Sequence, residues 1–258
     1  MLYWLLKWLV GRPLIRLLFE PRLIGEENIP TTGAILIACN HLDAGETILL
    51  PALMMRRVVF PAKAELFNGR SLGGRFGGWF LKAIGQVELD RSGGQASADG
   101  MGAVGEVLRS GEVLAMFPEG TRSPDGRLYK GHTGVARLAL SLGVRVLPLG
   151  MIDTQLHHGP FGIPYWRRPT LKFGRPLDFS SYVGAGSNRD ALRHVTDEIM
   201  NAIMELTGQT YVDMYGLGAK QALVRGENID HRIQPRPGHD RSGPSPGPVT
   251  TRRHDTAA

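Results

Sequence analysis

Short apolar blocks recur along most of the chain, separated by turn residues. Ala34–Ala38, Val58–Phe60, Val87–Leu89, Val113–Phe117, Val144–Leu149 and Thr170–Phe173 are runs of this kind, and their length and flanks predict strands. Between them, helical spacing predicts helices over Glu46–Met55, Leu72–Ile84, Ala98–Arg109 and Gly134–Leu142. Gly100, Gly102 and Gly105 work against the third, because glycine costs about 1 kcal/mol relative to alanine inside a helix. The clearest pattern is Ser187–Leu206. There Leu192, Val195, Ile199, Ile203 and Leu206 share one face and Gly208 follows as a stop, which predicts a packing helix with no chemistry of its own. Strands alternating with helices predict an α/β fold, a layered sheet with helices on its faces.

The two ends of the chain break this rhythm. Met1–Phe19 is dense in Leu and Trp but interrupted by Lys7, Gly11, Arg12, Pro13 and Arg16, so no apolar run approaches the ~20 residues that cross a bilayer. It lacks the small-residue cleavage site of a signal peptide. Pro13 predicts a break, and Tyr3, Trp4 and Trp8 favour a lipid–water boundary. The segment is expected to form two short helical pieces lying in one leaflet, their cations at the headgroups. The competing reading is an amphipathic helix packed on its own domain. Beyond Gly226 the chain turns to Pro, Gly, Arg, Ser and His, too polar to offset its chain entropy, and disorder is expected. The expected organisation is therefore a membrane-interfacial segment over 1–20, one domain over 21–225 and a disordered tail over 226–258. A length of 258 residues suits a single sizeable α/β domain.

Charge sharpens the picture. The formal net charge is +6, and Lys7, Arg12, Arg16 and Arg22 outweigh Glu20 in the apolar N-terminal segment. Cations beside apolar residues favour an anionic membrane surface, at about 1 kcal/mol each near the headgroups. No basic run, zinc pattern or RNP-like aromatic motif supports nucleic acid as a partner. Cys39 is the sole cysteine, so no intrachain disulfide can form, which suits a reducing compartment.

Candidate chemistry lies at the strand ends. In Ala34–Pro51 (AILIACNHLDAGETILLP) a strand runs into Asn40-His41 before a helix begins, placing His41 where α/β sheets commonly hold ligands. Imidazole suits removal of a hydroxyl proton near neutral pH, and a carboxylate on the far ring nitrogen would fix its tautomer. Glu46 is within reach for that task. Asp43 and Glu46 also have the D-x-x-E spacing of a capping box, in which Glu46 would serve the helix end instead. In Phe117–Ser123 (FPEGTRS) a strand enters a Pro-Glu-Gly turn. Gly120 permits a close backbone approach, Arg122 presents a fork of donors matched to phosphate, and Thr121 and Ser123 add hydroxyls. The plain alternative is a solvated turn. Lys63 and Arg91 each follow a strand and offer a cation to an anionic substrate, and Lys130 is another candidate cation. His132, His157 and His158 have no zinc-site spacing, and neither a G-x-S-x-G elbow nor a Walker A sequence occurs, so no metal or cofactor is expected. Direct attack by an acceptor hydroxyl is the simplest remaining chemistry.

Taken together, these segments resemble the glycerolipid acyltransferase family, of the 1-acylglycerol-3-phosphate acyltransferase type, over about residues 20–180. Asn40-His41 with Glu46 matches the family's N-H-x4-D/E block, and Gly85–Arg91 its second block. Phe117–Ser123 matches F-P-E-G-T-R-S throughout, Val146-Leu147-Pro148 matches the apolar block, and Ala62–Phe67 resembles the A-K-x-E-L-F segment. The resemblance implies a mixed central sheet flanked by helices and an N-terminal helical pair at the membrane. It implies His41 as base, oriented by Glu46, and Arg91 and Arg122 on the acceptor's phosphate with Lys63 nearby. Glu119 and Gly120 would shape the pocket, and Val146–Pro148 would lie near the acyl donor. The implied activity is acyl transfer from acyl-CoA or acyl-acyl-carrier protein to the sn-2 hydroxyl of 1-acylglycerol-3-phosphate, without an acyl-enzyme, on the cytoplasmic face of the cell membrane. The enzyme would be peripheral or monotopic. Glycerol-3-phosphate or another lysolipid, such as lyso-ornithine lipid, is the alternative acceptor, and a non-catalytic membrane lipid-binding protein is the second alternative. One departure stands out: most members of this type carry Asp where this chain has Glu46. The extra methylene requires the backbone to reset the geometry, or Asp43 to substitute.

Overall fold

The computed structural model describes residue 4 and residues 6–63, 86–89, 94–162 and 164–240. The helix expected over Leu72–Ile84 and Arg91 lie outside the described residues, as does the Lys63 side chain.

A six-stranded mixed sheet organises the chain. Its members are β1 (Arg22–Ile24), β2 (Ile35–Cys39), β3 (Val58–Val59), β6 (Val113–Met116), β8 (Val146–Ile152) and β11 (Thr170–Phe173), in the order β1-β11-β8-β2-β6-β3. The strand β2 lies inside, parallel to both β6 and β8, while β11 runs antiparallel to β8. All of Ile35–Cys39 is inaccessible to solvent, which is why β2 reads as an unbroken apolar run.

Successive residues serve opposite faces, as the strand repeat of two requires. Leu36 and Ala38 join Leu114 and Val146 on one face, under helices α3 (Gly94–Arg109), α4 (Gly134–Leu142) and α5 (Arg189–Thr207). Ile35, Ile37 and Cys39 join Leu147 and Leu149 on the other, under helix α2 (Glu46–Leu53), and Ile15 of helix α1 (Arg12–Phe19) closes that side. In α5, Leu192, Val195, Ile199 and Ile203 are buried as their spacing predicted. The helix begins one turn position after Asn188, whose side chain accepts from the N–H groups of Asp190 and Ala191. The α3 helix forms despite its glycines because Val104 and Leu108 are buried against the sheet.

Smaller pairings surround this frame. Strand β4 (Pro61–Lys63) pairs with β5 (Val87–Leu89) and β9 (His157–His158) with β10 (Pro164–Tyr165). Strand β7 (Leu128–Tyr129) pairs with β12 (Tyr211–Val212), which also pairs with β13 (Ile233–Gln234). Helix α6 (Gly216–Val224) packs beside them. The disorder expected from residue 226 therefore does not hold for residues 227–240. Ile229 is buried beside Val212 and Ala222, and Asp230 pairs with Arg127 at 2.8 Å, so a few well-placed contacts anchor a polar stretch.

At the N-terminus a π-helical turn, Leu6–Gly11, leads into α1, whose first turn accommodates Pro13. Ile15 is buried, while Leu14, Leu17 and Leu18 are exposed. No described helix is long and apolar enough to cross a membrane. Lys7 departs from the expected headgroup cation. Its side chain folds inward, the Nζ donates to the Arg56 carbonyl at 3.2 Å, and burial with Arg12 nearby lowers its pKa to about 8. The Trp4 and Trp8 rings flank the ammonium and shelter it on that inward path.

Candidate active site

The C-terminal end of β2 is fastened before His41 appears. Asn40 is wholly buried, and its carboxamide donates to the Met151 carbonyl at 2.8 Å and accepts from the Met151 N–H at 2.7 Å. Such two-point pairing makes the side chain an extension of the β2–β8 ladder and fixes the direction in which the chain leaves the sheet.

His41 follows. Its ring stacks on Phe117 with centroids 3.7 Å apart and planes 11° from parallel, and Phe117 in turn stacks on Phe60. Its Nδ1 lies 2.8 Å from Glu46 Oε2. The His41 side chain keeps 15% of its surface open, whereas that of Glu46 has none. With a carboxylate against Nδ1, that nitrogen carries the proton and Nε2 remains the basic one.

Glu46 is the most constrained group here. Oε1 accepts from the Leu42 N–H at 3.0 Å and the Thr154 hydroxyl at 2.5 Å, while Oε2 faces the imidazole. These donors satisfy polar atoms that have no access to water. The capping-box arrangement does not form. The helix starts at Glu46 itself, after Gly45, with no side-chain cap, so Glu46 stands two positions before N3. Asp43 instead accepts from the N–H groups of Ala44 at 2.5 Å and Leu156 at 3.0 Å. Gly45 is required by space, since a Cβ there would stand 2.7 Å from Trp166 Cζ2.

The Phe117–Ser123 loop lies against the same corner. The Ser123 N–H donates to the His41 carbonyl at 2.8 Å. Glu119 is buried and bridges main chains: Oε1 accepts from the His41 N–H and Oε2 from the Tyr129 N–H, each at 3.0 Å. Burial pushes its carboxyl up to about 8, against the pull of those two N–H donors, and the nearby Glu46 and Asp125 add to the rise. Gly120 adopts a left-handed φ of 71° beside the His132 ring, and Thr121 packs its methyl against Gly216. Arg122 is 57% exposed, with Nη1 3.8 Å from Asp43 Oδ1. A pair so open is worth under about 1 kcal/mol, so a phosphate can displace it.

Other expected groups are engaged elsewhere. The Ser123 hydroxyl closes its own turn through the Arg127 carbonyl and Gly126 N–H. Lys130 forms an ion pair with Asp213 at 2.8 Å. His157 and His158 lie on the exposed β9. Among the described residues no cluster of His, Cys, Asp and Glu is arranged to hold a metal. Thr154, on the loop after β8, had no motif to signal it. Phe117 and Asn40 stood inside motif blocks without an evident role. The sole thiol, Cys39, is buried with Sγ 3.6 Å from the Met116 carbonyl, and burial raises its pKa well above the ordinary range.

The sequence profile of a family described as Acyltransferase matches residues 20–152. A protein of Cocos nucifera named 1-acyl-sn-glycerol-3-phosphate acyltransferase is 27% identical over 223 residues, 86% of this chain and 67% of the relative. A Pseudomonas aeruginosa protein of the same name is 30% identical over 126 residues, 48% of this chain and 46% of the relative. The chloroplastic LPAT1 of Arabidopsis thaliana, likewise named, is 36% identical over 132 residues, covering 50% of this chain and 35% of the relative. For these last two the match spans half of the relative's length or less. Among solved structures, the 1-acyl-sn-glycerophosphate (LPA) acyltransferase PlsC of Thermotoga maritima superposes with a TM-score of 0.57 at 25% identity, covering 79% of both chains.

Proposed function

Since this chain belongs to the acyltransferase family, we propose that it transfers a fatty acyl group from acyl-CoA or acyl-acyl-carrier protein to the free sn-2 hydroxyl of 1-acylglycerol-3-phosphate, giving phosphatidic acid. The observation that carries this reading is the His41–Glu46 contact at 2.8 Å beside the exposed guanidinium of Arg122, on loops joined by the Ser123–His41 main-chain bond. The names carried by the relatives and by the Thermotoga maritima structure support the acceptor.

In this mechanism the neutral Nε2 of His41 takes the hydroxyl proton as the oxygen attacks the thioester carbonyl. The tetrahedral intermediate collapses, the C–S bond breaks, and the imidazolium returns its proton to the departing thiol. Glu46 stabilises the imidazolium in between. General-base assistance contributes about 10²–10⁴ in rate, and holding both substrates together supplies much of the remainder. Arg122 holds the acceptor's phosphate, with Arg91 and Lys63 as its partners in that task. Glu119 holds the His41 main chain in register with the Arg122 loop. The path consumes two substrates and uses no further cofactor.

A lipid acceptor requires access to a membrane. Exposed Leu14, Leu17 and Leu18 on α1, with Trp8 before them, provide an apolar face for peripheral or monotopic attachment, and the cytoplasmic face of the cell membrane is where the thioester donors occur.

The test is thiol release by the full chain from acyl-CoA with lysophosphatidic acid, glycerol-3-phosphate and lysophosphatidylcholine as acceptors. Lysophosphatidic acid should give the highest kcat/KM, and His41→Ala should cut turnover by about 10²–10⁴. Equal rates with the phosphate-monoester acceptors and the choline lipid would refute the acceptor assignment. Silence with all three would refute the activity.

A further inference from the structure

The loop leaving β8 matches no motif and has no part in the mechanism above, yet it closes over the Glu46 carboxylate. After Ile152 the chain turns through Asp153, at a left-handed φ of 55°, and delivers Thr154 to the interior with no exposed surface. Its Oγ1 donates to Glu46 Oε1 at 2.5 Å. Its own carbonyl accepts the indole N–H of Trp166 at 3.1 Å. The Trp166 ring is held edge-on to Phe19, 5.1 Å between centroids, and fills the space beside Gly45. Two residues further on, the Leu156 N–H donates to Asp43 Oδ2 at 3.0 Å. The loop thus grips the Asp43–Glu46 turn at both carboxylates.

Glu46 needs such a grip. A glutamate has three side-chain torsions, and its carboxylate torsion is soft, so main-chain position alone does not decide where the oxygens face. The Leu42 N–H reaches both oxygens, at 3.0 and 3.2 Å, and does not choose between them. The Thr154 hydroxyl sets the plane of the carboxylate: it holds one of the two equivalent oxygens and turns the other toward His41 Nδ1.

We propose that Thr154 is the positioning residue of this site, its hydroxyl fixing the Glu46 rotamer that presents Oε2 to the His41 ring, with Trp166 holding Thr154 in place. The inference rests on the reading of His41 as general base. Thr154 touches neither substrate by this account, so its loss acts on the chemical step and leaves acceptor affinity alone.

The test compares kcat and KM for thiol release from acyl-CoA with lysophosphatidic acid, using the full chain, with His41→Ala as control and thermal melting to verify folding. Thr154→Val keeps the side chain's shape without the donor and should lower kcat about tenfold with KM unchanged. Thr154→Ser restores the donor and should recover most of that loss. Trp166→Phe keeps a ring without its N–H and should lower kcat about threefold, again at constant KM. Wild-type kcat in Thr154→Val, equal impairment of the Val and Ser variants, or an effect confined to KM would overturn the proposal. Should Thr154→Val not fold, wild-type kcat in Trp166→Phe overturns it in the same way. If His41→Ala keeps turnover, the general-base reading fails and takes this inference with it. If His41→Ala is inactive while all three other variants behave as wild type, the role of Thr154 alone is lost.

Discussion

The corner at the end of β2 and the tip of the Phe117–Ser123 loop hold the candidate base and the candidate anion receptor, and they are built on opposite terms. At the corner, every oxygen of Glu46 has a donor and its side chain has no exposed surface. At the tip, Arg122 is more than half exposed and meets one carboxylate at 3.8 Å. A base needs one tautomer and one orientation before substrate arrives, so its supports are short, buried and partly main chain. An anion receptor must trade its resting partner for a ligand, which a weak and open pair permits. Rigidity and availability are thus assigned to neighbouring segments tied by one main-chain bond.

Breaking the rigid half should have the largest effect. His41→Ala is expected to cut kcat by about 10²–10⁴ while the thermal transition stays cooperative, as read by thiol release and calorimetry. Glu46→Gln keeps the shape but places an amide donor among donors, and a loss of about 10–100-fold in kcat should follow in the same assay. The available half should behave differently. Arg122→Ala should raise KM for lysophosphatidic acid about tenfold, with kcat and stability little changed; a normal KM would remove Arg122 from the acceptor site. Between the halves stands Glu119. Glu119→Gln puts a neutral amide where the folded state holds a protonated carboxyl, so unfolding in denaturant at pH 6 should change by less than about 1 kcal/mol. Its folded pKa of about 8 lies above the ordinary 4.5. The folded state therefore holds a proton that the unfolded state has released between those values, and stability declines as pH rises through that window. The Glu119→Gln variant should lack this component when unfolding is compared at pH 6 and pH 9. The smallest effect concerns attachment. Leu17→Glu should weaken binding to anionic vesicles in sedimentation while turnover in detergent remains unchanged.

Much of this arrangement was legible because it rests on pattern. The strands β2, β6, β8 and β11 announced themselves as apolar runs, and α5 as a one-faced repeat, because burial imposes periodicity on sequence. His41 and Arg122 could be singled out by position at strand ends. What sequence left open was which carboxylate meets His41. Asp43 and Glu46 together also have the spacing of a capping box, and which role Glu46 takes depends on where the helix begins, which the structure puts at Glu46, after Gly45. Thr154 was illegible because a single hydroxyl brought in by a loop has no spacing to reveal it. The tail offered a third lesson. Composition predicts the average behaviour of a polar stretch, while Ile229, Asp230 and the pairing of β13 with β12 give residues that composition marks as loose specific partners.

The placement of Cys39 has a practical consequence. A disulfide reagent that reports free thiols by colour attacks thiolates, and this sulfur is both sealed inside the sheet and held in its protonated form. The folded protein should therefore contribute no background when coenzyme A set free in the proposed reaction is titrated this way. The same silence makes Cys39 a built-in gauge of integrity: one equivalent of colour appearing with time would mean that the central strands had come apart, and its rate of appearance would measure how often they do.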